Sequence, residues 1–425
     1  MQIKNYKNIG ETVCEASLPN GLKIAVVPKK GFATNYAVFG ANYGGAHRRF
    51  SLEGQMQDTP AGIAHFLEHK MFDMPDGDNA LNRLSANGAD PNAFTSSAMT
   101  CYYFQCTHNF GENLRLLLRF VSTPYFTDET VNKEQGIIAQ EIRMGEDNPG
   151  MVLYYNLLGQ LYERHPMKER VAGTVESISH ISAQTLYDCH KVFYTPSNMC
   201  LCVEGDVDPE RIIQIAEEEL TKELSPVPKA DFGDEESMLP IEQYKEAVME
   251  VSAPQFLIGA KVKAEKDGQK LMRQQIVAQL AMRLLSGGSS PFYTRLYSEG
   301  TLNRDFDYEA DFSVGTGTII IGGESVDPKK VLEEFNKEVQ KVCSEGFDEG
   351  SFMRAKRASL GARLRALEDF DSVCVSLVSG FFENSQPMEA IDVLNSVEKW
   401  ECEAFVREYL QPERLALSVM HSGRA

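Results

Sequence analysis

The sequence lacks any apolar run long enough to cross a bilayer, because no stretch approaches the ~18 consecutive apolar residues of a membrane span. The N-terminal segment lacks the apolar core of a signal peptide, and its acids Glu11 and Glu15 are atypical of a transit peptide. The nine cysteines include no C-x-x-C pair, and their odd number excludes a fully paired disulfide framework. We therefore expect a cytoplasmic protein with mostly buried, reduced thiols and no membrane partner.

Positive charge is also scarce. The chain has 42 Lys and Arg against 61 Asp and Glu, which leaves a formal net charge of −19. An acidic balance of this size disfavours binding to nucleic acid or to anionic lipid. Glycine-rich phosphate loops of the P-loop or Rossmann type are absent as well. We therefore expect no nucleic-acid partner.

The remaining composition is that of a globular protein of more than one domain. The 425 residues are 43% hydrophobic and 24% charged, and a length of this order suggests two or three domains. Residues 224–240 hold three prolines and four acids and show no apolar period. This pattern predicts a linker, which separates an N-terminal domain, 1–223, from a C-terminal domain, 241–425.

The two predicted domains look like weak copies of one plan. In each, a strand-like run, 101–106 or 318–323, leads to an amphipathic helix, 113–121 or 329–342. A second helix then begins near Phe126 and near Phe347, which are 221 positions apart. Repeats of this length are duplicated domains. The alternating runs and clustered helices predict an α+β fold with two homologous domains. Each would be a mainly antiparallel sheet with helices packed on one face.

The strongest chemical signal is the segment GIAHFLEHKMF at 62–72, which contains H-x-x-E-H. On a helix, His65, Glu68 and His69 project from one face. Two imidazoles one turn apart can ligate a tetrahedral Zn²⁺, and a neighbouring carboxylate can take a proton from zinc-bound water. This order is known as the inverzincin motif.

A catalytic zinc needs a third protein ligand, and the next predicted helix carries two candidates. Glu134 and Glu141 are seven positions apart, hence on one face of a helix for which Thr127 is a plausible N-cap. The residues between them are mostly apolar, so we expect this part of the helix to be buried. A buried Glu calls for a charge or metal partner. Either carboxylate could therefore be the third protein ligand.

A third segment, 88–104, reads as a strand. Asn92, Phe94 and Ser96 would share one face, and Ala93 and Thr95 the other. An exposed strand edge beside a metal can hold an extended peptide through backbone hydrogen bonds.

These residues resemble the pitrilysin-type zinc metallopeptidases. H-F-L-E-H is followed by E-x6-E, with His69 and Glu141 separated by 72 positions. The run through GADPNAFTSSAMTCYYF, KEQGIIAQEI and AGTVESISHIS is most similar to the bacterial YmfH-like branch. The resemblance is strong over the first 225 residues and weaker over the rest.

The resemblance implies specific roles. His65, His69 and Glu141 would be the zinc ligands, with Glu68 as general base and Glu134 as a supporting carboxylate of the catalytic site. Asn92, Ala93 and Thr95 would lie on the edge strand that binds substrate. The second domain would supply an Arg and a Tyr to the substrate. Several candidates lie close together there, including Arg295 and Tyr297, and we assign Arg304 and Tyr308.

The implied activity is that of a zinc-dependent endopeptidase with zinc-bound water as the nucleophile. It would hydrolyse peptides or small unfolded polypeptides inside a closed chamber, as a homodimer or as a heterodimer with a second family member. One zinc per chain is expected, because a shift of 221 places Glu134 and Glu141 on Ala355 and Ala362, and the second half has one histidine, His421. The alternatives are a non-catalytic peptide-binding or scaffolding subunit and a zinc hydrolase for small amides.

Overall fold

The computed structural model describes residues 1–52 and 54–423. In that part of the chain the strands and α-helices follow in this order: β1 (Gln2–Tyr6), β2 (Glu11–Ser17), β3 (Lys23–Pro28), β4 (Asn35–Ala41), β5 (Arg49–Leu52), β6 (Gln55–Asp58), α1 (Ile63–Lys70), α2 (Ala80–Ala86), β7 (Ala89–Thr95), β8 (Thr100–Cys106), α3 (Phe110–Ser122), α4 (Asp128–Glu146), α5 (Pro149–Leu161), α6 (Val175–Ile178), α7 (Ala183–Phe193), β9 (Met199–Gly205), α8 (Pro209–Glu219), β10 (Tyr244–Met249), β11 (Gln255–Lys263), α9 (Gly268–Ser286), α10 (Pro291–Ser298), β12 (Asp307–Ser313), β13 (Thr316–Glu324), α11 (Pro328–Glu345), α12 (Glu349–Ala366), α13 (Phe370–Glu383), α14 (Ala390–Ser396), α15 (Lys399–Tyr409) and β14 (Ala416–Ser422). Among these helices, none combines the length and apolar character that a bilayer span requires.

The chain divides into two compact units, each built from three separate segments. Unit 1 comprises 1–142, 169–232 and 364–388, and unit 2 comprises 143–168, 233–363 and 389–425. One crossing between the units falls after Phe232, inside the predicted linker. The division into two homologous domains, 1–223 and 241–425, stays a prediction.

Unit 1 contains a seven-stranded sheet in the order β1-β2-β3-β9-β4-β8-β7. Its neighbouring strands are antiparallel, except that β3 and β9 run parallel. One face packs against α1, α3, α4, α7 and α8 in a large apolar core. Strand β7 lies at the end of the order, so its outer edge pairs with no other strand in the described part of the chain.

The other face of this sheet is covered by α13, which comes from the C-terminal part of the chain. Alternate strand residues divide between the two faces, as the period of two requires. In β9, for example, Leu201 and Val203 face the large core, whereas Cys200 and Cys202 face α13. Cys200 and Cys202 therefore share a face of the sheet, and the helix that covers this face was not foreseen.

Unit 2 contains a five-stranded sheet in the order β10-β14-β11-β13-β12, in which β10 and β14 run parallel and the other pairs are antiparallel. One face packs against α9, α10, α11 and α15. The other face is covered by α5, from the N-terminal part of the chain. In unit 1, the run β3-β9-β4-β8-β7 of the sheet has the same order of parallel and antiparallel pairs as these five strands. The α+β fold with two similar, mainly antiparallel domains is therefore confirmed.

Candidate metal centre

Helix α1 is short and is fixed in place by its apolar face. Ile63, Ala64, Phe66 and Leu67 are buried in the core of unit 1. The helix begins after Gly62, whose φ of 93° is in the left-handed region that favours glycine. A Cβ at this position would lie 2.5 Å from the carbonyl oxygen of Ala172, so the close approach also requires glycine.

The opposite side of α1 presents two imidazoles to a carboxylate of α4. The ring centroids of His65 and His69 are 4.6 Å apart. Nε2 of His65 lies 3.5 Å from Oε1 of Glu141, and Nε2 of His69 lies 3.7 Å from Oε2 of the same residue. The structure thus brings together the two histidines and the glutamate that the sequence singled out.

These three side chains fit a metal ion. One ligand atom from each lies within 4.8 Å of the others. Ligands bound to a tetrahedral zinc at ~2.0–2.1 Å are about 3.3 Å apart, and the two imidazole–carboxylate distances of 3.5 and 3.7 Å are close to that spacing. Two imidazole nitrogens and one carboxylate oxygen are also a donor set that zinc accepts at catalytic sites.

Glu134 contacts the other ring nitrogen of His69, Nδ1. Nδ1–H of His69 donates a hydrogen bond of 3.0 Å to Oε1 of Glu134, because a carboxylate is the acceptor in this pair. This bond orients the ring and leaves Nε2 directed at Glu141, as in the arrangement that carboxylate–histidine–zinc groups show. In contrast, the structure records no hydrogen-bond partner in the described residues for the buried Nδ1 of His65.

The charges of this cluster shift its pKa values. Burial lowers the pKa of His69, but the hydrogen bond to Glu134 and the charges of Glu68, Glu134 and Glu141 outweigh it, so the net pKa is raised. The imidazole of His65 lowers the pKa of Glu141. These groups therefore favour a cation between them, and a proton would compete with a metal ion for Nε2 of His69.

Helix α4 is buried along only one side, which corrects the expectation that its middle is buried. Ile138 and Ala139 face the core, whereas Ile137 is 47% exposed and the side chain of Glu141 is 49% exposed. The expectation was wrong because four consecutive residues cover the whole circumference of a helix, so a run of small and apolar residues does not bury every face. The predicted N-cap is present, since Thr127 Oγ1 accepts a bond from the Thr130 N–H.

Glu68 lies one residue from a candidate ligand and is only 8% exposed. Its Oε2 accepts a 2.6 Å hydrogen bond from the hydroxyl of Thr95 on β7. Sequence reasoning placed Thr95 on the substrate-binding strand and missed this contact. The sequence contained part of this information, because the alternation of side chains along a strand places Thr95 on the same face as Ala93.

The other predicted residues of β7 are divided between the faces of the sheet. Ala93 packs against the same core as α1. Asn92 is exposed on the opposite face, where it lines a cavity of about 450 Å³ with Tyr36, Tyr103 and Phe370. The structure therefore brings Thr95, but not the side chain of Asn92, to the histidine face.

Arg304 and Tyr308 both belong to unit 2. The guanidinium of Arg304 is exposed and donates to the hydroxyl of Tyr297 at 3.4 Å. Tyr308 lies on β12, partly buried against the core of unit 2, and burial raises its pKa. Their assignment as substrate contacts remains a prediction.

Comparisons with known proteins agree with this geometry. Residues 53–175 match the family model for insulinase, peptidase family M16, and residues 180–359 match the model for the peptidase M16 inactive domain. The chain is 36% identical over 419 residues to YmfH of Bacillus subtilis (strain 168), which is described as an uncharacterized zinc protease; the match covers 97% of each chain. A second uncharacterized zinc protease, ML0855 of Mycobacterium leprae (strain TN), is 32% identical over 219 residues, which covers 50% of this chain and 47% of ML0855.

Solved structures give the same result for the fold. The crystal structure of an M16-like peptidase from Alicyclobacillus acidocaldarius matches with a TM-score of 0.92 and 32% identity, covering 97% of this chain and 98% of that one. A protease from Helicobacter pylori matches with a TM-score of 0.83, covering 96% and 99%, although the identity is 18%. Because a relative is 36% identical along nearly the whole length of both chains, the chain belongs to peptidase family M16, in its YmfH-like branch.

Proposed function

We propose that this chain is a zinc-dependent endopeptidase that hydrolyses peptides or small unfolded polypeptides. The observation that carries the proposal is the convergence of His65, His69 and Glu141 beside the buried carboxylate of Glu68. Family membership adds support, because curated relatives are described as zinc proteases. One zinc ion per chain would be held by the two histidines and Glu141.

Each residue then has a defined task. When bound, zinc supplies Lewis acidity, which polarises a carbonyl and lowers the pKa of water. Glu68 accepts the proton of the attacking water and returns it to the amine that leaves when the peptide bond breaks. Glu134 holds the ring of His69 through Nδ1–H. The five carboxylate and imidazole groups thus divide the work into holding the metal, orienting a ligand and moving a proton.

The substrate would bind in an extended conformation along β7. A sheet edge that carries no partner strand offers backbone groups to a peptide of any sequence, and this edge is on the strand that contacts Glu68. Asn92, Ala93 and Thr95 would contribute through their backbone. Arg304 and Tyr308 would be further substrate contacts supplied by unit 2.

We also propose an assembly and a location. The chain would form a closed chamber as a homodimer or with a second family member, and it would act in the cytoplasm. All nine cysteines are free and all but Cys343 are buried, which suits a reducing compartment.

A non-catalytic peptide-binding or scaffolding subunit is the main alternative. The name of the M16 inactive domain, which matches 180–359, favours it for that part of the chain. The retention of both histidines, Glu68 and Glu141 at the candidate centre argues against it for the first part. A zinc hydrolase for small amides would prefer dipeptides to longer peptides, so a length series separates it from the endopeptidase.

The test compares Glu68→Gln with wild type in peptide cleavage and in bound zinc. Glu129→Gln is the matched control, because Glu129 is an exposed residue in the first turn of α4. We expect Glu68→Gln to lower kcat by about 10²–10⁴-fold, the range for loss of a general base, while zinc content stays near one per chain. Glu129→Gln should behave like wild type.

Turnover by Glu68→Gln at the wild-type rate would refute the role of Glu68. Purified wild type without zinc would favour the non-catalytic alternative. Zinc at one per chain without cleavage by any variant would indicate that a second family member is needed, and cleavage should then appear when that chain is added.

A further inference from the structure

The hydroxyl of Thr95 is directed at the candidate general base rather than at the edge of the sheet. Its Oγ1 lies 2.6 Å from Oε2 of Glu68, a short distance of the kind that charge-assisted hydrogen bonds show. Glu68 is 8% exposed, so this bond replaces water that the carboxylate would otherwise hold. An ionised carboxylate in such a place needs a donor.

Thr95 is itself held in position by its backbone, which pairs with Thr100 on the neighbouring strand. Its Oγ1 lies 3.2 Å from Oγ1 of Thr100 on β8, and Thr100 is fully buried. The hydroxyl of Thr100 donates to the backbone carbonyl of Tyr43 at 2.8 Å. The proton of Thr100 is thus directed at Tyr43, which leaves the proton of Thr95 for Glu68.

Strand geometry separates this side chain from a bound peptide. A peptide that extends the sheet pairs with backbone groups in the plane of the strands, whereas side chains point above and below that plane. Thr95 points to the face of α1, where Glu68 already occupies its hydroxyl. The role of a substrate contact, which the resemblance implies, therefore does not use the side chain.

We infer that Thr95 is a positioning residue, which holds Oε2 of Glu68 so that Oε1 is directed at the reacting water. This inference rests on the proposed function, because it assigns the task of Thr95 through Glu68. A carboxylate without this bond would sample other rotamers, and misplacement of a base lowers the rate of proton transfer without changing substrate affinity.

Three variants test the inference in the zinc-loaded enzyme. Thr95→Val removes the hydroxyl at constant shape, Thr95→Ser retains it, and Thr12→Val is the control. Thr12 also lies on a strand of unit 1 and donates to a side-chain oxygen, that of Asn5. Its strand, β2, is five positions away from β7 in the strand order. We expect Thr95→Val to lower kcat by at least about 10-fold with KM and zinc content unchanged, an effect confined to the chemical step. Thr95→Ser should restore most of kcat.

A second measurement uses the metal-free protein and needs no activity. Urea unfolding of Thr95→Val, Glu68→Ala and the double variant forms a cycle that reports their coupling. The two substitutions should be non-additive, since either one removes the same hydrogen bond. Thr12→Val and Glu68→Ala share no partner and should be additive.

Different failures are distinguishable. A higher KM with unchanged kcat in Thr95→Val would overturn the inference in favour of a substrate contact, and equal loss in the Val and Ser variants would show a merely structural effect. Additivity in the unfolding cycle would also overturn it. If wild type shows no cleavage that depends on Glu68, the proposed function fails, and the cycle alone then decides whether Thr95 holds this carboxylate.

Discussion

Units 1 and 2 are built on the same scaffold but carry different chemistry. The order β3-β9-β4-β8-β7 in unit 1 corresponds to β10-β14-β11-β13-β12 in unit 2, with the same single parallel pair. Helices α4 and α12 start at Asp128 and Glu349, and helices α5 and α13 start at Pro149 and Phe370. Both pairs are 221 positions apart, the spacing that the sequence predicts.

The helices that cover the second face of each sheet are exchanged between the repeats. The sheet of unit 1 is covered by α13, and the sheet of unit 2 by its equivalent, α5. On the helix that carries Glu134 and Glu141 in the first repeat, the second has Ala355 and Ala362. The comparison shows that the same scaffold forms with and without the polar side chains of the candidate metal centre, so apolar packing rather than that centre specifies it.

The largest expected difference between the units concerns zinc. His69→Ala removes a ligand of the proposed centre, so zinc affinity should fall by more than the about 10–100-fold that loss of an outer-shell partner causes. His421→Ala is the matched control, because it removes the one histidine in residues 241–425. Metal analysis of both variants after dialysis measures the difference, and equal retention of zinc would refute the assignment of the site to unit 1.

Each exchanged helix contacts its sheet at a glycine. Substitution of these glycines should lower stability, an effect smaller than the loss of zinc binding. A Cβ at Gly40 of β4 would lie 2.7 Å from Cγ1 of Val378, and a Cβ at Gly259 of β11 would lie 2.8 Å from Cδ2 of Leu157. Gly40→Ala and Gly259→Ala should each lower the free energy of unfolding by about 1–3 kcal/mol through overpacking. Gly40→Ala should cost more, because a β-branched side chain on a helix cannot rotate away.

Two controls sharpen this prediction, which urea unfolding measures. Gly159 of α5 has open space around its Cβ position, so Gly159→Ala should be neutral or stabilising by about 0.5–1 kcal/mol. Val378→Ala should relieve the strain of Gly40→Ala, so the double variant should lose less stability than the two changes predict together. Equal, additive losses would contradict a close contact at these glycines.

The smallest effect concerns equivalent positions at the ends of the two parallel pairs. Glu204 of β9 is opposite Val27, and His421 of β14 is opposite Val248. Burial raises the pKa of Glu204 to about 7, although Lys29 acts in the opposite direction. The folded state thus holds this proton more tightly than the unfolded state, so unfolding free energy falls as the pH rises from about 4.5 through 7.

Glu204→Gln should therefore raise stability at pH 8, by on the order of 1 kcal/mol because loss of the ion pair with Lys29 offsets part of the gain, and should reduce the loss between pH 5.5 and 8. Urea midpoints at the two pH values measure both effects. The exposed Glu210, on the helix that follows β9, supplies the control variant Glu210→Gln. A Glu204→Gln variant with the same pH dependence as wild type would contradict the raised pKa.

The sequence by itself determined the class of fold, the repeat and the residues that make up the candidate metal centre. Apolar periodicity specifies which face of each element is buried, so the strands at 101–106 and 318–323 and the helix at 329–342 lie where it predicts them. H-x-x-E-H specifies one face of one helix turn, so His65, Glu68 and His69 follow from local geometry alone. Glu134 and Glu141 could be identified together, because a separation of seven residues places both on one face of a helix.

Only the tertiary structure decided what depends on contacts between distant segments. It placed the two carboxylates differently, which their spacing alone could not do: Glu134 meets Nδ1 of His69, whereas Glu141 faces both Nε2 atoms. It directed Thr95 to Glu68, and it exchanged α5 and α13 between the sheets. These arrangements arise from the packing of surfaces far apart in the chain, and periodicity reports which face of an element is buried but not which partner covers it.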